Sequence, residues 1–315
     1  ASYLKIGFSY PLPDKLIKEF AEQVETLYVI EENEPYIENF VKAMGIECIG
    51  KEKLPICGEL SPEIIRKALL NEEEEEAAYT LDVDLPLRPP ALCAGCPHRG
   101  IFYEVSKYKD KIISTTDIGC YTLGMAPPLG VGDTCICMGA GITAGIGFDR
   151  VNQMAKRGKK VFGFVGDSTF FHSGITGLID AVYNGSDMTV VILDNRITAM
   201  TGHQENPGTG KNIVGQEAPK VDIESVVKAV GVKEENIRVI DPYKLDETKE
   251  AVKAAYEADE LFVIIAEQPC ALIKEVQRAR KGIHCKINQE KCRKCKVCLR
   301  VGCPAISFNG EIVAI

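Results

Sequence analysis

The sequence predicts an α/β protein of 315 residues: a small α/β domain, a larger doubly wound domain with a mainly parallel sheet, and a short cysteine-rich tail. Three observations carry this. "KKVFGFVGD", "GITGLIDAVYNG" and "DMTVVILDN" follow one another as strand, helix and strand, the pattern of a right-handed βαβ unit with buried parallel strands. The same alternation resumes from "DIESVVKAVGV" to "LFVIIAEQP". From Lys281 onward the composition turns basic and cysteine-rich, with little apolar material for a core of its own.

Taken in order, residues 1–70 read as the small domain. "YLKIGFSY" is strand-like, "PDKLIKEFAEQV" is helical with Pro13 near its start, and "TLYVIEEN" is a second apolar strand. "EPYIENFVKAMG" is a helix closed by Gly45, and "IECIG" a short third strand. Residues 71–90, "NEEEEEAAYTLDVDLPLRPP", are a solvated acidic run and a proline-ended linker. Residues 91–280 form the large domain: the βαβ unit, then helix at "DIESVVKAVGV", strand at "IRVI", helix at "YKLDETKEAVKAAYEA" and strand at "LFVIIAEQP". Residues 281–315 are the tail. The glycine-rich "MGAGITAGIGF" lacks the strand-turn-helix setting of a dinucleotide site, so its small residues predict close helix packing.

A net charge of −8 argues against nucleic acid as a partner. No apolar run reaches membrane-spanning length and no secretory pattern opens the chain, so no membrane role and a cytoplasmic location are expected. Thirteen cysteines in a long chain of this kind point to metal or redox chemistry rather than to a disulfide scaffold. The chain opens without an initiator Met and ends inside the cysteine-rich tail, as a piece of a longer polypeptide does.

Gly166-Asp167 ends one strand of the βαβ unit and Asp194-Asn195 ends the next. Adjacent parallel strands therefore present Asp167 and Asn195 at one carboxyl edge, where open α/β sheets bind ligands. A carboxylate, a carboxamide and the Ile197 carbonyl suit a hard cation such as Mg²⁺, whose remaining ligands come from phosphates and water. Gly166 allows close approach, and a helix beginning near His172 offers amide donors to phosphate. A plain Gly-Asp turn with a capping Asn is the alternative.

"LCAGCPHRG" puts Cys93 and Cys96 in a Pro/Gly loop, "TTDIGCYTLG" supplies Cys120 and "AEQPCAL" supplies Cys270. Two thiols from one turn plus distant single ones suit zinc or an iron–sulfur cluster, with a redox disulfide as the rival. In the tail, "CRKCKVCLRVGCP" reads C-x2-C-x2-C-x4-C-P through Cys292, Cys295, Cys298 and Cys303, one half of a ferredoxin signature.

With twenty-six residues between Ser168 and Asn195, "GDS…DNRITAMTG" resembles the GDG…N thiamine diphosphate fingerprint, Ser168 standing where Gly is usual. This run, together with "LCAGCPHRG", "DIGCYTLG" and "EQPC", is similar in order and approximate spacing to the thiamine-binding part of the 2-oxoacid:ferredoxin oxidoreductases. The CPHRG form and the tail resemble the α subunit of the indolepyruvate branch of that family. The resemblance covers essentially the whole chain, and the first seventy residues resemble the family's small, transketolase C-terminal-like domain.

The resemblance implies thiamine diphosphate and Mg²⁺ held by Asp167, Asn195 and Ile197, with Gly119, Cys120, Tyr121, Gly166, Ser168, Thr169, Ala199 and Met200 around the diphosphate and thiazole. It implies a 4Fe–4S cluster on Cys93, Cys96, Cys120 and Cys270, and a second on Cys292, Cys295, Cys298 and Cys303. The x4 gap before Cys303, where x3 is usual, and the lack of a second motif leave the fourth ligand of that tail cluster open. The implied reaction is oxidative decarboxylation of a 2-oxoacid, an arylpyruvate such as indolepyruvate, to the acyl-CoA, with electrons leaving through the clusters to ferredoxin. A smaller β subunit and a pyrimidine-binding domain absent from these residues are the implied partners, so this piece alone is expected to be inactive. Alternatives are a pyruvate or branched-chain oxidoreductase, a non-oxidative thiamine decarboxylase, and an electron-transfer module with a vestigial thiamine site. His98 and His203 are candidate substrate-facing residues; Cys285 is an alternative to Cys303 as the tail cluster's fourth ligand, Cys48 and Cys57 are expected to be structural, and Cys135 and Cys137 receive no role.

Overall fold

The computed structural model describes residues 2–71, 83–85 and 87–315. The acidic run expected between Asn71 and Leu81, and part of the linker, lie outside the described residues. The chain falls into two compact units, Ala1–Leu87 and Arg88–Ile315.

In the smaller unit, α1 (Asp14–Ala21), α2 (Tyr36–Ala43) and α3 (Pro62–Leu70) are the described helices. Gly45, with φ +79°, turns the chain out of α2 as expected. Ser61 caps α3 by accepting from the Ile64 amide, and Pro62 takes the first helical position. The three expected strands do not form: the described backbone there makes a single parallel bridge, Tyr28 to Ile49. A strand exists only where a neighbour completes its ladder. "YLKIGFSY" has none, and Tyr3, Phe8 and Tyr10 stay exposed. Leu12, Ile17, Val29 and Val41 make the unit's small core.

The larger unit opens with α4 (His98–Ser106), β1 (Ile112–Thr116) and the two-residue β2 (Thr134–Cys135). Next come α5 (Ala140–Met154), β3 (Lys160–Gly166), the single turn α6 (Asp167–Thr169), α7 (Ile175–Tyr183) and β4 (Met188–Asp194). The run ends with α8 (Ile223–Ala229), β5 (Ile237–Ile240), α9 (Leu245–Glu257), β6 (Phe262–Glu267) and α10 (Lys274–Ala279). In the tail, β7 (Ser307–Phe308) and β8 (Val313–Ala314) pair antiparallel.

The six strands of the main sheet lie in the order β2-β1-β3-β4-β6-β5, all parallel. Successive side chains along a strand leave on opposite faces. Phe162 and Phe164 of β3, with Val191 and Leu193 of β4, pack against α4 and α9. Val161 and Val165, with Val190 and Ile192, pack against α5, α7 and α8 on the other face. The α/β architecture with a doubly wound, parallel sheet is the one the sequence predicted. Among the elements that went unread are α4, directly after a proline-rich loop, and β1, too short and too polar to register; α3, α10 and the two-residue strands β2, β7 and β8 went unread as well.

The predicted packing role of the glycine-rich stretch is met in α5. Gly141 lies on β3 so closely that a Cβ there would fall inside contact distance of the Phe164 carbonyl, and Gly163 of β3 meets the Gly141 carbonyl the same way. Thr115 Oγ1 donates to that carbonyl at 2.6 Å, tying β1 into the joint.

Candidate functional site

β1 connects outward to β2, whereas β3 connects the other way to β4, so the chain diverges between β1 and β3. The carboxyl ends of strands at such a divergence form the crevice where open α/β sheets take ligands. Register brings the tips together: Gly166 pairs with Leu193 and Asp194 with Glu267. Beyond the strands the ladder continues, the Gln268 amide donating to the Asp194 carbonyl at 3.0 Å and the Cys270 amide to the Asn195 carbonyl at 2.9 Å.

A pocket at this edge is lined by His98, Gly119, Cys120, Tyr121, Gly166, Asp167, Ser168, Thr169, Asn195, Ile197, Ala199 and Met200, among others. Every residue assigned from the sequence to Mg²⁺ or the coenzyme is in that set. The expected helix start near His172 is displaced: the helical run begins at Asp167 and passes through a π-helical turn, Phe170–Gly174, before α7. Starting the helix at the strand tip places Asp167 itself in the first turn.

Asp167 is 3% exposed. Its Oδ2 accepts from Asn206 Nδ2 at 3.0 Å, and the backbone amides of Ser168 and Ile197 also donate to it. Burial, and then the adjoining Asp194 carboxylate, push its pKa well above the carboxylate range. Asp194 is itself raised, by burial first, while the Arg196 amide and charge oppose the rise. Two adjoining buried carboxyls with only neutral donors on the inner one are an arrangement that a divalent cation relieves. Asn195 turns its Oδ1 to the Ile197 amide at 3.4 Å and donates through Nδ2 to His98 Nε2 at 3.4 Å. His98, fully enclosed, is held to a pKa of about 4 by burial, so its ring is neutral at the pocket wall. His203 is exposed at φ +63° and does not line the pocket.

Tyr121 crosses the crevice. Its hydroxyl donates to Asp117, just after β1, while Thr169 and the Gly166 amide approach the same oxygen. Asp117 also accepts from the Gly139 amide at 2.8 Å, the N-cap of α5. A Cβ on either Gly119 or Gly166 would strike the Tyr121 ring, so both glycines make room for it. Sequence reasoning missed Asp117 and Asn206. Asp117 follows β1, whose sequence IISTT is too polar to mark a strand end as the run before Asp167 does, so its position carried no signal.

The four cysteines assigned to the near cluster are electrostatic neighbours. Cys96 is pushed up to about 12, by burial first and then by Cys120 and Cys270; Cys120 is raised by burial, Cys270 and Cys93. Cys270 is raised by burial and Cys93, against amide donors at Leu272 and Ile273. Among the described residues no three His, Cys, Asp or Glu side chains converge as a single ion demands. A multi-iron cluster has its thiolates spread over separate corners, and four neighbouring cysteines, three of them (Cys96, Cys120 and Cys270) met by backbone donors, fit such a group. The loop carrying two of them is braced from outside, Tyr243 donating to the Gly95 carbonyl at 2.7 Å. Of the tail cysteines, Cys292, Cys298 and Cys303 are half-buried and Cys295 is exposed.

The profile described as "Thiamine pyrophosphate enzyme, C-terminal TPP binding domain" matches residues 117–266, from Asp117 to Ala266 in β6. The chain is 39% identical to indolepyruvate oxidoreductase subunit IorA of Methanothermobacter thermautotrophicus, over 98% of this chain and 52% of that protein. To the IorA subunit of Pyrococcus abyssi it is 38% identical, with the same two coverages. It thus spans about half the length of these relatives. A solved 2-oxoglutarate:ferredoxin oxidoreductase from Magnetococcus marinus superposes with a TM-score of 0.47 at 18% identity, covering 67% of this chain and 76% of that one. Residues 117–266 are thus similar to the C-terminal TPP-binding domain of the thiamine pyrophosphate enzymes, in a chain that is similar over 98% of its length to about half of the IorA subunit.

Proposed function

We propose that this chain is the coenzyme-anchoring and electron-collecting part of a 2-oxoacid:ferredoxin oxidoreductase that converts an arylpyruvate such as indolepyruvate to its acyl-CoA. One observation carries the reading: the Asp167–Asn195 pocket and the thiols of Cys120 and Cys270 belong to the same sheet edge, with Cys270 hydrogen-bonded directly to Asn195. When bound with Mg²⁺, thiamine diphosphate supplies the electron sink that decarboxylation requires. Asp167, Asn195 and the Ile197 carbonyl would hold the cation, and Gly119, Gly166, Ser168, Thr169, Ala199 and Met200 the diphosphate and thiazole. His98, kept neutral, accepts a hydrogen bond from Asn195 and so fixes the orientation of that amide. Tyr121 keeps the β1 and β3 loops at one separation. Cys93, Cys96, Cys120 and Cys270 would hold a 4Fe–4S cluster beside the coenzyme, and the tail cysteines a second one leading to ferredoxin in the cytoplasm. A pyrimidine-binding domain and a smaller β subunit complete the enzyme.

Anaerobic purification with iron, sulfide and thiamine diphosphate analysis tests the reading. About four irons or more per chain and Mg²⁺-dependent coenzyme binding are expected. Coenzyme binding without iron would point to a non-oxidative decarboxylase, and iron without coenzyme binding to an electron-transfer module.

A further inference from the structure

Arg99, the second residue of α4, is 6% exposed, and among the described residues no carboxylate pairs with it. Its guanidinium is spent on backbone carbonyls from two segments distant in sequence. Nε donates to Cys93 O at 3.3 Å and Nη2 donates to Leu92 O. Nη1 donates to Val301 O at 2.9 Å and to Gly302 O at 2.6 Å. The thiols facing it electrostatically are Cys303, Cys96 and Cys93, so its charge stands between the two cysteine sets. The tail turn is seated closely: Gly302 has φ +65°, and a Cβ there would lie 2.7 Å from Pro128 Cδ and 3.4 Å from Arg99 Nη1.

A buried guanidinium without a counter-carboxylate is costly unless its donors and charge are otherwise met. Here four backbone carbonyls from the two loops meet the donors. We propose that Arg99 is the joint that fixes the tail turn carrying Cys303 against the Cys93–Cys96 loop, so that the two cysteine sets keep one separation. This rests on reading the two sets as consecutive electron stations, between which tunnelling falls steeply with distance. A flexible tail with a few cysteines could not hold that distance, whereas a forked, planar donor shared by both loops does. Because His98 sits beside Arg99 on the same helical turn, one short segment serves the coenzyme pocket on one side and the tail on the other.

The test is hydrogen exchange on the full chain, comparing wild type with Arg99→Ala and Arg99→Lys. In Arg99→Ala, exchange should rise about tenfold across residues 297–303 and 92–96, with β3 and β4 unchanged. Millimolar guanidinium should restore protection and the same concentration of sodium should not. Arg99→Lys should stay unprotected, since an ammonium cannot bridge four carbonyls in one plane. Wild-type exchange in Arg99→Ala, a rise spread through the sheet, or no effect of guanidinium would each overturn the proposal. Iron loading of the wild type is read separately: a chain that takes up no iron defeats the electron-station reading and leaves the exchange result standing on its own.

Discussion

One substitution made at two positions on α5 should have opposite effects, and the sign is set by what each glycine touches. At Gly141 an added Cβ would fall inside contact distance of the Phe164 carbonyl oxygen, 3.1 Å from its carbon and 3.5 Å from the Asp117 amide nitrogen. These are backbone atoms of the sheet and cannot turn aside, so α5 must back away from β3. Overpacking of this kind costs about 1–3 kcal/mol and more where backbone is the obstacle. Retreat also breaks the bond from Thr115 Oγ1 to the Gly141 carbonyl, worth about 1 kcal/mol. At Gly147, exposed on the same helix, nothing lies within 4 Å of an added Cβ. There the gain in helix propensity should stabilise by roughly 0.5–1 kcal/mol. Urea unfolding followed by circular dichroism should therefore separate Gly141→Ala from Gly147→Ala by about 3–5 kcal/mol. Because the retreat pulls the Gly139 amide from Asp117, Gly141→Ala should also weaken coenzyme binding. If the two variants unfold within ~1 kcal/mol of each other, the account of α5 as a helix seated by backbone contact is wrong.

Asp167→Asn should weaken Mg²⁺-dependent thiamine diphosphate binding by at least ~100-fold in calorimetric titration, since it removes the one charged ligand of the assigned set; unchanged affinity would refute the assignment. His98 binds its proton less well folded, with a pKa near 4 against 6.5 unfolded, so its contribution is complete above pH 6.5 and lost as pH falls through about 4. That gap is worth roughly 3 kcal/mol, and His98→Gln should flatten the stability profile between these limits by about that much relative to wild type. Tyr121→Phe leaves Asp117 with the Gly139 amide as its remaining hydrogen-bond donor and should cost about 1–3 kcal/mol, read as a lowered urea midpoint.

The strands of the βαβ unit were legible because strands buried on both faces are continuous apolar runs, and "VFGFV" and "TVVIL" have no other explanation. Their ends were equally legible, since Gly166-Asp167 and Asp194-Asn195 break those runs abruptly. The same criterion failed in the smaller unit. "YLKIGFSY" has strand composition, but composition cannot supply a neighbour, and its aromatic residues remain exposed. Asn206 and Arg99 were illegible for another reason. Asn206 reaches Asp167 across 39 residues and Arg99 reaches Gly302 across 203, and neither separation has any periodicity to betray it. The helix start at Asp167 was hidden by the π-turn, whose extra residue per turn shifts the apolar phase of α7 relative to α6.

Two distant motifs share one edge because of a single property of the sheet. All six strands are parallel, so every carboxyl end emerges on the same side. β1 delivers Asp117, Cys120 and Tyr121 there, β3 delivers Asp167, β4 delivers Asn195 and β6 delivers Cys270. Had β6 run antiparallel, Cys270 would leave at the opposite edge, a strand length away from Cys120. The bond from the Cys270 amide to the Asn195 carbonyl then makes the junction stiff, because β4 and β6 stay paired beyond their last ladder residues. Displacing the amide assigned to the cation therefore displaces a thiol assigned to the cluster. Under the proposed function, in which a coenzyme and an electron acceptor exchange single electrons, that rigidity is what the transfer would require, and at this junction backbone pairing supplies it.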